Sequence, residues 1–192
     1  MGRIHKCLKN KQGFSLVELI VVIAIMVILI SLLVPSLVGY IESANNAADV
    51  SNAKTVSECI QLNIFSSGKR GDSFVSNPWG SGYGYIYVDD DEMRISNIEI
   101  AEILEEHNLI KEGSLSGASS GELRFGKEQT SILCKSGRAW SKYQINFTIK
   151  SNNVDITYAA TTGNNPRDEA ATEKFVTMIG GKASPSNFTI GD

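Results

Sequence analysis

Apolar positions crowd into the first part of the chain and then thin into short alternating runs. From Leu19 to Ile41 no residue carries a charge and most are apolar. Those 23 residues, wound as a helix, are long enough to cross a bilayer core ~30 Å thick at ~1.5 Å per residue. Past Ile41 the helical period persists on a mixed surface. Ala53, Val56, Ile60 and Ile64 recur at three- and four-residue spacing, alongside the charged Asp49, Lys54 and Glu58. The pattern predicts one helix from Phe14 to about Phe65, ~80 Å long, whose second half needs a covering partner. Ser66-Ser67-Gly68-Lys69-Arg70-Gly71-Asp72 is rich in breakers and predicts its exit.

After that exit the period changes to two. Tyr83 to Val88, with Tyr83, Tyr85 and Tyr87 alternating, predicts a strand, and Ile98 to Ile110 predicts a short helix through Ile98, Ala101, Ile103, Leu104 and Leu109. Leu123 to Phe125, Thr130 to Cys134, Tyr143 to Ile149 and Val154 to Ala159 predict further strands. Gly137 and Ser151-Asn152-Asn153 separate them, which favours antiparallel hairpins. Asp168 to Ile179 predicts an amphipathic helix ending at Gly180-Gly181.

Charge marks the start of the apolar run. Arg3, Lys6, Lys9 and Lys11 precede Gly13-Phe14-Ser15-Leu16-Val17-Glu18, a basic flank that predicts a cytoplasmic N-terminus. A secretory signal peptide places its small-residue cleavage site after the apolar core, whereas Gly13 lies before it. Glu18 is the unusual residue. An ionisable group in a spanning segment costs roughly 2.5 to 3.5 kcal/mol at mid-bilayer and less near an end, so it is a functional candidate by default. Snorkelling to the headgroups from an ordinary anchor is the plainer alternative.

Lys11-Gln12-Gly13-Phe14-Ser15-Leu16-Val17-Glu18 resembles the processing site of a type IV prepilin. The resemblance covers about the first 50 residues. It implies cleavage after Gly13, N-methylation of Phe14, and pairing of Glu18 with the N-terminal amine of a neighbouring subunit. It also implies an α+β fold: a type IV pilin-like long N-terminal helix packed on an antiparallel sheet, with one or two short extra helices. The corresponding domains are a leader at 1–13, a transmembrane and assembly half of the helix at 14–41, and a globular domain at 42–192 that includes the amphipathic half. Without water, a lone ammonium and a lone carboxylate are both costly, so pairing across subunits would set axial register. Pro35, which pilins similar to this chain also carry, removes a helix hydrogen bond near Gly39. It implies either a bend used in repacking or a kink satisfied by neighbours, including the Ser31 hydroxyl. Asn77-Pro78-Trp79-Gly80-Ser81-Gly82-Tyr83 resembles a Pro-Trp-Gly turn of some pilins and pseudopilins; an anchored turn is favoured over a sugar-binding platform.

Removing the leader takes four of the 18 basic side chains and none of the 21 acidic ones, leaving 179 residues with 14 basic against 21 acidic, net −7. That balance argues against a strongly basic nucleic-acid surface. Cys7 leaves with the leader. Cys59 and Cys134 then either form one disulfide across about 74 intervening residues or stay as two buried thiols. Familiar pilins close a C-terminal loop with a disulfide, but no cysteine follows Cys134, so Pro185 to Asp192 must be held by packing. Asp89-Asp90-Asp91-Glu92 lacks the spacing of a calcium loop and reads as a solvated turn. His107, beside Glu105 and Glu106, reads as a helix-surface residue. Neither a Walker glycine motif nor a nucleophile elbow is present, and no metal or cofactor is expected. Asn146-Phe147-Thr148 and Asn187-Phe188-Thr189 match the glycosylation pattern, which recurs by chance.

Three functions fit these features. The first is a structural subunit of a type IV pilus, inserted in the cytoplasmic membrane and polymerised through its apolar helix into a surface filament for adhesion, motility or biofilm. The resemblance implies as partners further copies of itself, other pilins, a prepilin peptidase, and an assembly platform with its ATPase. The second is a pseudopilin of a type II secretion or DNA-uptake machine. The third is a single-pass membrane-anchored enzyme or receptor, which the missing nucleophile and metal patterns disfavour.

Overall fold

The computed structural model describes residues 13–66, 82–117, 121–150, 153–163, 168–185 and 190. The expectations for the leader through Gln12, for Ser67 to Asp72, for Pro78-Trp79-Gly80, for Ser151-Asn152 and for Asn187-Phe188-Thr189 lie outside the described residues. The chain divides into two units that meet between Ile41 and Glu42. One helix, α1 (Leu16–Ser66), supplies residues to both.

In the first unit α1 carries no charged side chain after Glu18, and, Pro35 apart, the helix pairs its own backbone groups, as a lipid environment demands. Helical structure continues through Pro35. The Ser31 hydroxyl donates to Ile28 O at 2.7 Å, so it serves the preceding turn, while Pro35 has no N–H for the Ser31 carbonyl.

The second unit contains β1 (Tyr83–Val88), β2 (Glu92–Ile95), α2 (Ile98–Glu106), β3 (Leu123–Gly126), β4 (Lys142–Lys150), β5 (Asn153–Thr161) and α3 (Glu169–Ile179). All five strands form one antiparallel sheet in the order β3-β2-β1-β4-β5. Register places Ile86 opposite both Ile95 and Ile145, Val88 opposite Met93 and Tyr143, and Phe147 opposite Ile156. These side chains share one face and join Ala53, Val56, Ile60 and Ile64 of α1, Ile100, Ile103 and Leu104 of α2, and Phe175 of α3 in a single core. The amphipathic half of α1 therefore finds its cover in the sheet, and the architecture is the α+β, pilin-like one.

The other sheet face is polar yet also buried. Tyr83 OH and Gln144 Nε2 both donate to Asn146 Oδ1 at 2.9 Å, Asn146 Nδ2 donates to Ser184 Oγ at 2.7 Å, and the Arg94 guanidinium lies 3.9 Å from the Tyr87 ring centre. Each buried amide thus has a partner, which keeps its desolvation cost small. Two elements differ from the sequence expectation. Strand β2 follows directly from the acidic turn, and Thr130 to Cys134 is not a strand. In that segment Thr130 Oγ1 bonds Leu109 O and accepts from Ile132 N, and Cys134 N donates to Asp89 O, so individual partners replace a ladder.

Helix α3 begins at the Asp168 side chain, which accepts from Ala171 N, and ends at Gly180 in the left-handed conformation, φ 71°. Residues 182–184 then run beside β5, where Tyr158 N donates to Lys182 O and Ser184 N to Tyr158 O, both at 2.8 Å. Close approach at Gly181 makes this possible, since a Cβ there would stand 2.7 Å from Tyr158 Cδ2. The Tyr158 ring cannot easily yield, because its hydroxyl donates to Ser57 Oγ of α1 at 3.0 Å. Gly181→Ala is expected to destabilise the domain by about 1 to 3 kcal/mol, measured by urea unfolding; an unchanged midpoint would show that the segment moves aside freely.

Candidate assembly segment

Gly13 and Phe14 lie exposed just before α1, and Ser15 caps it. Glu18 Oε2 accepts from Ser15 N at 2.9 Å while Ser15 Oγ accepts from Val17 N at 3.3 Å, a reciprocal capping arrangement. With Phe14 still joined to Gly13, the Glu18 carboxylate serves the start of its own helix. Beyond it, large apolar side chains from Leu19 to Ile41 are exposed, and the most apolar stretch has a mean hydropathy of 3.2. Exposure on this scale in water is unfavourable and marks a surface that meets lipid or protein.

Immediately after the apolar run the helix changes role. Glu42, Asn46 and Asp49 occupy the same three- and four-residue phase as Ala53, Val56, Ile60 and Ile64, so the inward stripe of α1 is polar at its start and apolar further on. The polar part meets the loop from Cys134 to Trp140. Asp49, fully buried, accepts from Lys135 N at 2.8 Å through Oδ1, and from Ser136 N and Trp140 Nε1 at 2.9 Å through Oδ2. Glu42 Oε1 accepts from Ser136 Oγ and Arg138 N at 3.0 Å and from Ala139 N at 3.1 Å. Two carboxylates two helical turns apart thereby clasp one loop whose backbone N–H groups have no ladder to join.

The electrostatics follow from this packing. Burial raises the Glu42 carboxyl, but hydrogen bonds from Arg138 N, Ala139 N, Ser136 Oγ and Gly137 N together outweigh it and hold the group below its ordinary 4.5. Burial, then the Asp49 charge and hydrogen bond, push the Cys134 thiol well up, so it stays protonated and donates to Asp49 Oδ2 at 3.4 Å. A depressed folded value means that the Glu42 contribution is complete above about pH 4.5 and is lost as pH falls through the folded value. Amide exchange at Arg138 and Ala139 is accordingly expected to speed up, beyond its intrinsic pH dependence, only as pH falls below about 4.5. Glu42→Gln should show that faster exchange already at neutral pH; protection independent of both pH and residue 42 would contradict the clasp.

Residues 8–34 match the family model described as the prokaryotic N-terminal methylation motif. The chain carries the type IV pilin/pseudopilin signature. No curated protein and no solved structure matches the chain. The pilin/pseudopilin signature marks a structural protein and suggests assembly with other pilins and a prepilin peptidase. With a helix long and apolar enough to cross a membrane, it fits a membrane-anchored precursor.

Among the residues singled out in the sequence, Gly13, Phe14 and Glu18 cluster at the start of α1, and Pro35 lies within it. Cys59 and Cys134 are both buried and both free, so the structure holds two thiols and not the possible disulfide. Asp89 Oδ1 accepts from Asp91 N and Glu92 N, so the acidic run folds as a side-chain-closed turn. His107 ends α2, its Nδ1 2.9 Å from Ile103 O. No group of metal-holding side chains occurs among the described residues. Glu42 and Asp49 were not expected; their signal was a polar residue in an inward phase.

Proposed function

We propose that the chain is a structural subunit of a type IV pilus. It enters the cytoplasmic membrane with its N-terminus inside, loses residues 1–13, and polymerises through Phe14 to Ile41 into a surface filament, with residues 42–192 as the globular domain. Its work is assembly, not catalysis. The observation that carries this proposal is the N-terminal signature leading into a helix long and apolar enough to cross a membrane, with its large apolar side chains exposed. Glu18 and the new amine of Phe14 supply the charge pair, Pro35 the break in the helix ladder. Further copies of the chain, other pilins, a prepilin peptidase and an assembly platform with its ATPase are the partners; adhesion, motility or biofilm formation is the output. A pseudopilin of a secretion or DNA-uptake machine would share the same processing and the same helix.

Intact mass spectrometry of the chain from its native cell surface tests the proposal. The expected mass lacks Met1 to Gly13 and carries one additional methyl group on Phe14. A retained leader, or a cut after Ile41, would overturn it. Recovery of the processed chain only from membranes, never from sheared filaments, would favour the pseudopilin.

A further inference from the structure

We propose that α3 and the segment after it guard the β5 edge of the sheet against pairing with a second copy of the chain, and that the Thr172 hydroxyl is the group that closes this edge at its centre. Strand β5 is the last in the order β3-β2-β1-β4-β5, so every second residue along it turns its N–H and C=O away from β4. Tyr158 and Ala160 are two of these residues, and Thr162 continues the series. Each is met, and none by a full strand. Asp168 Oδ2 accepts from Thr162 N at 3.0 Å. Thr172 Oγ1 accepts from Ala160 N at 3.0 Å and donates to Ala160 O at 2.9 Å. Lys182 O accepts from Tyr158 N, and Ser184 N donates to Tyr158 O, both at 2.8 Å. The cap, the first turn and the exit of α3 thus stand one after another along the edge. For Ala160 a single hydroxyl does what a residue of a sixth strand would do.

The covered stretch is the one that needs cover. Ile156 to Thr162 is a run of seven residues without charge, proline or glycine. That composition pairs readily with an identical segment once its edge is open. The two ends of the sheet solve the same problem differently. On the opposite edge β3 carries exposed Arg124, paired with Glu92 and Glu122, and Lys127 follows it, paired with Asp91. Charges of this kind keep an edge from growing without any cover. Charge on β5 stops at Asp155, which Lys182 Nζ meets at 3.0 Å, and the cover takes over where it stops. The identical segment is present on every neighbouring copy, which makes a second copy of this chain the partner to be excluded. The need is greatest where copies stand side by side, as in the filament proposed above, but the guard belongs to the domain and does not depend on that reading.

Thr172→Val keeps the side-chain shape and removes the hydroxyl, leaving Ala160 N and O unmet, whereas Thr172→Ser keeps the hydroxyl. The test follows amide exchange residue by residue in the full chain in detergent, over a range of chain concentrations. At the lowest concentration Ala160 is expected to exchange about tenfold faster in Thr172→Val than in the parent. As concentration rises its protection should return, because the same strand of a second copy takes the place of the hydroxyl. The parent and Thr172→Ser should show no such dependence. Because the readout is one amide on β5, association elsewhere on the chain does not imitate it. Thr172→Ala, which cannot crowd α3, is the second variant and should repeat the valine pattern. Exchange at Ala160 that stays fast at every concentration in both variants, or that equals the parent throughout, would overturn the inference.

Discussion

Asp49→Ala is expected to lower the melting temperature of the protein by roughly 6 to 20 °C, from a loss of about 3 to 5 kcal/mol. The side chain is fully buried and its two oxygens accept from Lys135 N, Ser136 N and Trp140 Nε1. Truncation leaves those donors without acceptors, each costing about 1 to 3 kcal/mol when water cannot replace the lost partner. Asparagine does not rescue the site. Oδ1 serves Lys135 N, and Oδ2 serves Ser136 N and Trp140 Nε1, so an amide group in either place sets donor against donor. Glu58, exposed on the same helix, is the control, and Glu58→Ala should move stability by less than about 0.5 kcal/mol. Near-ultraviolet circular dichroism melts of the three variants in detergent decide the matter. An Asp49→Ala midpoint equal to that of the Glu58 control would mean that the clasp does not hold the loop.

The clasp also shows where the sequence stops being informative. Strand β1 was legible because three tyrosines alternate along it, and β4 and β5 because β-branched and aromatic residues dominate them. Helix α3 was legible through its Asp168 cap and its glycine stop. Strand β2 was not, because Glu92-Met93-Arg94-Ile95 gives only two alternations and starts inside an acidic run that had been assigned to solvent. Thr130 to Cys134 failed in the opposite sense. Its composition favours a strand, but its backbone is met by Thr130 Oγ1, Leu109 and Asp89 one contact at a time. On α1 the apolar phase was visible from Ala53 to Ile64, and its continuation through Glu42, Asn46 and Asp49 was not. Periodicity analysis scores apolar residues, and Glu42 and Asp49 face inward because a loop 86 positions after Asp49 offers them N–H groups. Long-range pairing of that kind leaves no mark in local pattern. The N-terminal signature is the reverse case: its chemistry is written in eight consecutive residues, and geometry adds only the cap between Ser15 and Glu18.

That cap adds a second role to the pairing proposed for Glu18, and Glu18→Gln and Glu18→Ala separate the two. Glutamine retains an acceptor oxygen for Ser15 N and so keeps the start of α1, whereas alanine removes it at a cost of about 0.5 to 2 kcal/mol. Both variants remove the charge. If the mature Phe14 amine is buried beside a neighbouring Glu18 during assembly, either substitution leaves an uncompensated ammonium, costing about 3 to 5 kcal/mol, or more than about a hundredfold in assembly. Both are therefore expected to insert into the membrane and be cleaved after Gly13, yet to yield few filaments, as read by shearing cells and weighing the processed chain in each fraction. Should Glu18→Gln assemble like the parent while Glu18→Ala does not, the carboxylate matters only as a helix cap, and the pairing role falls. Glutamine is the decisive substitution because it changes the charge while leaving the one contact of Glu18 that the structure displays.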